Sequence, residues 1–340
     1  MEMRRLGAAG PRVAPIGLGC SAMSGAYGPA DEKESVATIR AAIDAGVTLL
    51  DTADFYGMGH NEWLIRQALR AGDREKVVLS VKFGQLCGLD GTFGISDGRP
   101  AAVKTFLAYS LQRLGTDHVD IYRPARLDPA VPVEETVGAI AEAVRGGYVR
   151  GIGLSEVGPE TIRRAHAVHP ITDVQIEYSL FSRGAEDGVL ETCRELGIGV
   201  TAYGVLSRGL LSGGYRPAAD ATGARAHLPR FQDDNVAANL TLVENLRKIA
   251  EPRGLTVAQL AIAWVLAQGR AGARAGARPE GDIVALVGAR KPHRVTDAVA
   301  AARLTLTEEE SAAVERAVPR AAVAGERYGA AAMTHLDSER

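Results

Sequence analysis

The chain has 340 residues and a formal net charge of −2, from 39 basic and 41 acidic side chains. Its length fits one large α/β domain or two ordinary ones, and its 46% hydrophobic content can form a substantial core. Nucleic acids are bound by an excess of basic surface and by aromatic platforms, so the balanced charge and the 5% aromatic content argue against a nucleic-acid partner.

The sequence shows no membrane or export signal. Pro15 interrupts the N-terminal region before a long apolar run develops, and the best apolar stretch, residues 258–266, is too short to span a bilayer. The cysteines lie too far apart for a disulfide framework or a metal site: Cys20, Cys87 and Cys193. We therefore expect a soluble cytoplasmic protein without a metal.

Short β-rich runs alternate with amphipathic stretches along most of the chain. Strands are predicted at residues 13–19, 47–51, 77–82, 118–123, 149–154, 174–178, 199–203 and 283–287. Helices are predicted between them, including residues 33–45, 61–70, 101–114, 133–145 and 160–168. Strand–helix alternation builds βαβ units with right-handed crossovers, so the pattern predicts a parallel sheet with helices outside it.

The number of units decides between two parallel architectures. About eight strand–helix units in roughly 300 residues fit a closed (β/α)8 barrel. A doubly wound sheet is the alternative, and a G-x-G-x-x-G turn after the first strand would favour it. Residues 17–22, GLGCSA, lack the third glycine. We therefore predict an α/β fold of the TIM-barrel type, with a short N-terminal β-hairpin as a cap and a single domain over residues 1–340.

Two segments depart from the alternation. Residues 207–235 are rich in Gly, Pro and Arg and follow the seventh strand, which in a barrel places them over the active-site face as a lid or cofactor clasp. Residues 269–281, GRAGARAGARPEG, form a low-complexity insert between a helix and the eighth strand, on the barrel face away from the chemistry. We interpret the insert as a solvated loop.

Three polar residues occupy matching points of neighbouring units. Asp51 ends the second strand, Tyr56 follows it on the loop, and Lys82 ends the third strand. Catalytic groups of barrel enzymes come from these carboxyl ends. A buried ammonium favours a phenolate, so we expect Lys82 to lower the pKa of Tyr56 from about 10, with Asp51 holding the lysine. A structural Asp51–Lys82 ion pair beside a packed Tyr56 is the alternative.

Several ordered segments form a recognisable set: GVTLLDTADFYG (46–57), GHNE (59–62), the strand-end Lys82, GIGLSEV (151–157), QIEYSLFSR (175–183), AYGVLSRGLL (202–211), VGARKPHRVTD (287–297) and GERYGAAAM (325–333). By these motifs the sequence resembles the aldo-keto reductases from about residue 5 to residue 333. The insert at residues 269–281 lies outside the resemblance.

This resemblance implies an NADPH-dependent reductase in which a hydride passes to a carbonyl carbon and Tyr56 protonates the oxygen. Asp51 and Lys82 would tune Tyr56. The implied cofactor contacts are Ser155 and Gln175 at the carboxamide, Tyr203 on the nicotinamide ring, Leu206, Ser207 and Gly209 along the pyrophosphate, and Gly288, Arg290, Arg294 and Asp297 at the adenosine end.

The adenosine end also has a physical basis. Arg290 and Arg294 lie four residues apart at the start of the helix after the eighth strand. Helix N-termini offer free N–H groups to phosphate, and a guanidinium adds a bidentate contact or stacks on adenine. The pair therefore favours NADPH over NADH, and an ordinary solvated basic turn is the alternative.

The chain departs from the family pattern at the end of the fourth strand. The family places a catalytic histidine there, and this sequence has Ala125, flanked by the matching Tyr122 and Asp128. His118 lies at the other end of the strand and does not replace it. Arg123 has the same strand parity as position 125, so it is predicted to point into the barrel. There it either contacts the substrate or pairs within the wall. Arg126 is read as a loop residue.

We therefore predict reduction of a small or medium carbonyl compound, with an altered acceptor as one consequence of Ala125. A nicotinamide-binding regulatory or scaffold protein with little turnover is the alternative function. The sequence identifies neither the natural substrate nor the oligomeric state, and it indicates no membrane partner.

Overall fold

Eight parallel strands close into a barrel in the computed structural model, which describes residues 1–89, 91–270 and 281–339. The barrel strands are β3 (Ile16–Gly19), β4 (Leu49–Ala53), β5 (Val78–Phe83), β8 (Val119–Pro124), β9 (Val149–Ser155), β10 (Ile171–Glu177), β11 (Gly199–Tyr203) and β12 (Ile283–Gly288). Each pairs with its neighbour in this order, and β12 pairs with β3 to close the ring. The predicted TIM-type barrel is confirmed.

Helices surround the barrel and connect the strands. Their bounds are α1 (Glu32–Asp44), α2 (His60–Ala68), α3 (Pro100–Leu114), α4 (Val133–Arg145), α5 (Pro159–Val168), α6 (Val189–Glu195), α7 (Pro217–Asp220), α8 (Asp233–Ala250), α9 (Val257–Gln268), α10 (Pro292–Ala301), α11 (Glu308–Ala317) and α12 (Ala330–Met333). In the described part of the chain, no helix combines the length and apolarity needed to cross a membrane.

The strands are buried on both faces, and residue parity separates those faces. All five residues of β4 and all six of β5 are buried, as expected when helices cover a sheet whose inner face is also filled. Leu49 packs in the cluster inside the barrel, whereas Leu50 packs against the helices. Asp51 therefore has the inner parity, because alternate residues face the same side of a strand.

A two-stranded hairpin closes the barrel at the amino ends of the strands. It consists of β1 (Arg4–Arg5) and β2 (Arg12–Val13), which confirms the predicted cap. Leu6 is 1% exposed and packs with Val13 against the first residues of several barrel strands. The predicted strand at residues 13–19 is wrong at its start, because Pro15 lacks an N–H for the ladder and the barrel strand begins only at Ile16.

A second hairpin stands at the opposite end of the barrel and has no counterpart in the sequence analysis. It is formed by β6 (Gln85–Cys87) and β7 (Phe93–Ser96), which follow β5 directly. The predicted insert falls between α9 and β12, and its residues 271–280 lie outside the described residues.

The hairpin cap yields a stability prediction. We expect Leu6→Ala to lower the free energy of unfolding by about 2–5 kcal/mol, because it removes a buried side chain and leaves a cavity under the barrel. Urea denaturation measures this loss. The matched control is Leu89→Ala, which truncates a fully exposed leucine and should change stability by less than about 0.5 kcal/mol. Equal losses of stability in the two variants would show that burial of Leu6 does not stabilise the closed end of the barrel.

Candidate active site

A buried ion pair forms the floor of the site at the carboxyl ends of β4 and β5. Lys82 Nζ donates to Asp51 Oδ1 and, at 3.1 Å, to the carbonyl oxygen of Thr52. Asp51 Oδ2 accepts from Ser80 Oγ at 2.8 Å and from Gln175 Nε2 at 2.8 Å. The carboxylate thus has partners for both oxygens, as a buried charge requires.

Tyr56 lies above this pair on the turn that follows β4. Its ring centroid is 5.0 Å from Lys82 Nζ. The turn is held by hydrogen bonds from Tyr56 N to the Ala53 carbonyl and from Asn61 N to the Tyr56 carbonyl, each 3.2 Å long. The predicted trio of Asp51, Tyr56 and Lys82 is therefore brought together by adjacent strands and one short loop.

The expected pKa of Tyr56 needs a correction. Burial raises the pKa of the phenol above its ordinary value, and the Asp51 carboxylate acts in the same direction. The positive charge of Lys82 and its hydrogen bond lower the pKa, but they do not outweigh burial. The prediction of a net lowering is wrong, although the direction of the lysine's effect is as expected. Tyr56 therefore keeps its proton at neutral pH.

Arg123 lies in the barrel wall and makes no contact with the cleft. Its side chain is fully buried, and Nη1 pairs with Asp173 Oδ2 at 3.0 Å. Nη2 donates to Ser80 Oγ at 2.9 Å, and this hydroxyl in turn donates to Asp51. The side chain has the inward parity predicted for it. Of the two roles left open for Arg123, the structure has the ion pair with Asp173 and not a position on the cleft.

Two polar atoms of the Arg123–Asp173 ion pair lack hydrogen bonds within the described part of the chain. Arg123 Nε and Asp173 Oδ1 are buried and have no hydrogen-bond partner among the described residues. Burial raises the pKa of Asp173, although Arg123 and Thr201 oppose the shift. The positive charge of Arg123 therefore stabilises the buried carboxylate of Asp173.

A cleft of about 1190 Å³ opens above Asp51, Tyr56 and Lys82 and extends to α10. Thirteen of the fifteen sequence-predicted residues line it: Asp51, Tyr56, Lys82, Ala125, Ser155, Gln175, Tyr203, Leu206, Gly209, Gly288, Arg290, Arg294 and Asp297. The two that do not are Arg123 and Ser207. The predicted positions thus follow one continuous surface from the barrel mouth to the start of α10.

Ser207 requires a correction of its own. It is 1% exposed, and its hydroxyl has no partner among the described residues. The turn at residues 206–209 has three consecutive positive φ angles, 45° at Ser207, 53° at Arg208 and 108° at Gly209. Such strain concentrates at ligand sites. The turn reaches the cleft through Leu206 and Gly209, and the side chain of Ser207 does not contribute to the cleft wall.

Two glycines keep the middle of the cleft floor open. Gly19 and Gly288 face each other in register across β3 and β12, and both line the cleft. A Cβ on Gly288 would meet only the carbonyl oxygen of Gly19, at 3.9 Å. The floor therefore leaves room for a group that lies against the backbone.

Three positively charged residues line the cleft where it reaches α10: Arg290, Lys291 and Arg294. The helix starts after Lys291, whose side chain makes no cap hydrogen bond, so the first N–H groups are not covered by a cap. Arg290 donates to the Pro29 carbonyl at 3.1 Å, and Arg294 lies in the first turn of the helix. This end of the cleft therefore has a positive electrostatic potential.

The predicted lid does lie over the cleft. Arg225 and Leu228, from the segment at residues 207–235, line it. The Arg225 guanidinium lies 4.8 Å from the centroid of the Tyr27 ring, and its Nε donates to the Arg208 carbonyl at 2.7 Å. These contacts tie the lid to the loop after β3 and to the strained turn.

The C-terminal tail is fixed beside the cleft by buried charges. Arg327 pairs with Glu156, and with Glu177 at 3.4 Å. Glu177 also pairs with Arg208 at 2.9 Å, and the Arg208 guanidinium lies 4.5 Å from the centroid of the Tyr328 ring. Burial alone raises the pKa of Glu156, but Arg327 reverses the shift and holds the pKa at about 2. Tyr328 is thereby placed in the cleft wall.

Sequence reasoning assigned no role to several residues that line the cleft, among them Tyr27, Arg126, Arg208, Arg225 and Tyr328. Arg208 and Arg225 lie within the predicted lid segment, and Arg208 and Tyr328 lie within family motifs, so a partial signal existed for these three. Tyr27 and Arg126 have no such signal, because their position depends on loops that meet only in the folded chain.

Known proteins match this chain over most of its length. The family model described as "Aldo/keto reductase family" matches residues 15–319. A protein of Glycine max called probable aldo-keto reductase 1 is 39% identical over an alignment of 331 residues, covering 95% of this chain and 91% of the relative.

Two solved structures are similar over nearly their whole length. A glycerol dehydrogenase from Gluconobacter oxydans is 30% identical, with a TM-score of 0.81 and coverage of 94% of this chain and 95% of that one. An aldo/keto reductase from Klebsiella pneumoniae, solved in complex with NADP and acetate, is 28% identical, with a TM-score of 0.72 and coverage of 94% and 95%.

The wall position of Arg123 leads to a stability prediction. Arg123→Met should lower the free energy of unfolding by about 3–5 kcal/mol, because it leaves the Asp173 carboxylate buried without its cation. Adding Asp173→Asn should restore part of the loss, since no charge then remains. Urea denaturation of both variants measures the difference.

The matched control is Arg164→Met, which breaks an exposed ion pair with Glu134 and should cost less than about 1 kcal/mol. If Arg123→Met folds with wild-type stability and instead raises the KM of a substrate, Arg123 is a contact residue and not part of the wall.

Proposed function

The chain belongs to the aldo/keto reductase family, and we propose that it reduces the carbonyl group of a small or medium aldehyde or ketone with NADPH. One observation carries the proposal: Lys82, buried and paired with Asp51, lies 5.0 Å from the Tyr56 ring at one end of a cleft long enough to reach α10. This arrangement supports the proposal, because a tyrosine that can donate a proton and a groove long enough for a dinucleotide belong to one cavity.

The residues along the cleft fit a dinucleotide. The glycine floor at Gly19 and Gly288 leaves space beside the backbone, and the strained turn at residues 206–209 lies along the same groove. We assign Ser155 and Gln175 to the carboxamide, although Gln175 also donates to Asp51, and Tyr203 to the face of the nicotinamide.

Cofactor choice follows from the charges at the α10 end. Arg290, Lys291 and Arg294 line the cleft beside the open helix start. A 2′-phosphate adds about two negative charges that these groups would neutralise. The Klebsiella relative was solved with NADP, which supports the same choice for this chain.

The proposed chemistry divides between the cofactor and the side chains. When bound, NADPH supplies a hydride to the carbonyl carbon. Tyr56 holds its proton at neutral pH and donates it from Oη to the carbonyl oxygen as negative charge develops there. The Lys82 ammonium then faces the resulting phenolate, and Asp51 keeps that ammonium in place.

Ala125 removes one donor from this site. The residue is 2% exposed and lines the cleft. Its methyl side chain has no hydrogen-bond donor for a carbonyl oxygen. One preorganised donor contributes on the order of 100-fold to a rate, so slow turnover of simple carbonyls, or a different acceptor, follows. The second candidate function, a nicotinamide-binding regulatory or scaffold protein, is favoured by this observation alone.

Tyr56→Phe tests the proton donor. We expect kcat for NADPH oxidation to fall by at least ~100-fold, because general acid catalysis is lost, while the Kd of NADPH changes by no more than a few-fold. Aldehydes, ketones, enones and imines are screened by steady-state kinetics, and cofactor binding is measured by calorimetry.

Tyr148→Phe, at an exposed tyrosine, serves as the matched control and should keep the wild-type rate. A Tyr56→Phe enzyme with a wild-type rate would show that the proton comes from elsewhere. A wild-type protein that binds NADPH tightly and reduces none of these acceptors would favour the regulatory function.

Arg290→Ala tests cofactor choice. We expect it to weaken NADPH by about 1.5–3 kcal/mol, the contribution of a charged hydrogen bond, and to leave NADH almost unaffected, because only NADPH carries the 2′-phosphate. Calorimetric titration with both cofactors measures the difference. Arg303→Ala, at an exposed arginine just beyond the end of α10, is the control. Equal weakening of both cofactors would place the 2′-phosphate elsewhere.

A further inference from the structure

Arg126 follows the alanine that replaces the expected donor. It comes directly after Ala125 at the end of β8, it is half-buried, and it lines the cleft together with Tyr56 and Lys82. Its pKa lies above the ordinary arginine value; burial opposes this shift, and Tyr203 and Tyr328 cause it. The side chain is therefore a permanent cation on the wall of the substrate end of the cleft.

The hydrogen bonds of Arg126 leave most of its donors free for a ligand. Among the described residues, its single side-chain hydrogen bond runs from Nη1 to the Ala125 carbonyl at 2.6 Å. A guanidinium carries five N–H donors in a planar fork. The remaining donors of the fork have no protein acceptor in the described part of the chain.

Four arginines with almost completely buried side chains each have a carboxylate partner: Arg123 with Asp173, Arg208 with Glu177, Arg230 with Glu177, and Arg327 with Glu156. Arg225, half-buried like Arg126, also lines the cleft without an ion pair to a described residue, but its guanidinium lies 4.8 Å from the centroid of the Tyr27 ring. Arg126 forms no ion pair with any described residue. Glu156 contributes to the potential around it, but both oxygens of Glu156 are engaged, by Arg327 and by Ser338 and the Glu177 N–H.

Apolar residues line the same cleft as Arg126. They include Phe55, Leu127 and the hairpin residues Phe93 and Ile95. Phe93 and Ile95 are 62% and 59% exposed, so the cleft presents apolar surface to a ligand. A half-buried guanidinium without a protein carboxylate in contact can form an ion pair with a carboxylate of that ligand.

We propose that Arg126 is the anion anchor of the substrate site and that the enzyme prefers carbonyl compounds carrying a carboxylate. The inference rests on the proposed reductase function and adds a substrate class to it. One guanidinium matches one carboxylate in charge and in the planar geometry of a bidentate pair. The apolar walls accept the carbon skeleton between the carboxylate and the reacting carbonyl group.

The kinetic test compares charged and neutral versions of one substrate. The probes are the 2-, 3- and 4-carboxybenzaldehydes and their methyl esters, with NADPH oxidation as the signal. For at least one isomer, the wild-type kcat/KM should favour the acid over the ester by at least ~10-fold. In Arg126→Gln this ratio should fall by at least ~10-fold, mainly through KM, and Arg126→Lys should restore part of it.

The matched control is Arg66→Gln. Arg66 is an exposed arginine on α2 that, like Arg126, has a carbonyl oxygen as its hydrogen-bond partner, that of Gln112. This variant should keep the wild-type ratio. A wild-type enzyme that prefers no acid isomer, or an Arg126→Gln enzyme that keeps the preference, would overturn the proposal.

A binding experiment separates this proposal from the proposed reaction. Benzoate and benzamide are titrated by calorimetry into the wild type and Arg126→Gln, each with NADP⁺ present, after circular dichroism has established equal folding. Benzoate should bind the variant at least ~10-fold more weakly, and benzamide should bind both alike. Equal benzoate affinities, or no benzoate binding to the wild type, would exclude Arg126 as an anchor even if no carbonyl compound is reduced.

Discussion

The burial of the Asp51 carboxylate is the constraint on which the site depends. A carboxylate inside a barrel must be paired and fully hydrogen-bonded. Lys82 and Ser80 reach it from β5, and Gln175 reaches it from β10. Ser80 then accepts from Arg123, so the network crosses the barrel interior to β8. Lys82 is held beneath Tyr56 by its ion pair with Asp51 and its hydrogen bond to the Thr52 carbonyl.

A second set of buried charges determines the shape of the cleft above this floor. Glu177 at the end of β10 pairs with Arg208 of the strained turn and with Arg327 of the tail. One carboxylate therefore connects the barrel to the segment that borders the cofactor groove and to the segment that brings Tyr328 into the cleft wall. Since these pairs are almost completely buried, they fix the surrounding loops more firmly than exposed pairs would.

Positions 125 and 126 differ in what they offer a ligand. Ala125 lines the cleft without a side-chain donor, so Tyr56 is the proton donor of the proposed reaction. The Arg126 guanidinium donates to the Ala125 carbonyl and forms no other side-chain hydrogen bond with a described residue. Under the two proposals, reactivity depends on Asp51, Tyr56 and Lys82, and substrate choice depends on the loop after β8.

The sequence by itself determined the barrel, the hairpin cap and the inner parity of Asp51 and Arg123, because strand–helix alternation and the two-residue period of a strand are local properties. Through ordered motifs it also located the strand-end trio and most of the residues predicted to hold the cofactor, which the structure brings to one cleft. It did not determine the partners. Whether Arg123 meets a substrate or Asp173, and whether burial or Lys82 dominates the pKa of Tyr56, depends on distances between strands and on desolvation. The same holds for Arg126, a loop residue in the sequence, which the fold brings to the cleft with Tyr328 of the C-terminal tail. These outcomes belong to the tertiary structure, because electrostatic energies depend on burial and on neighbours far away in the chain.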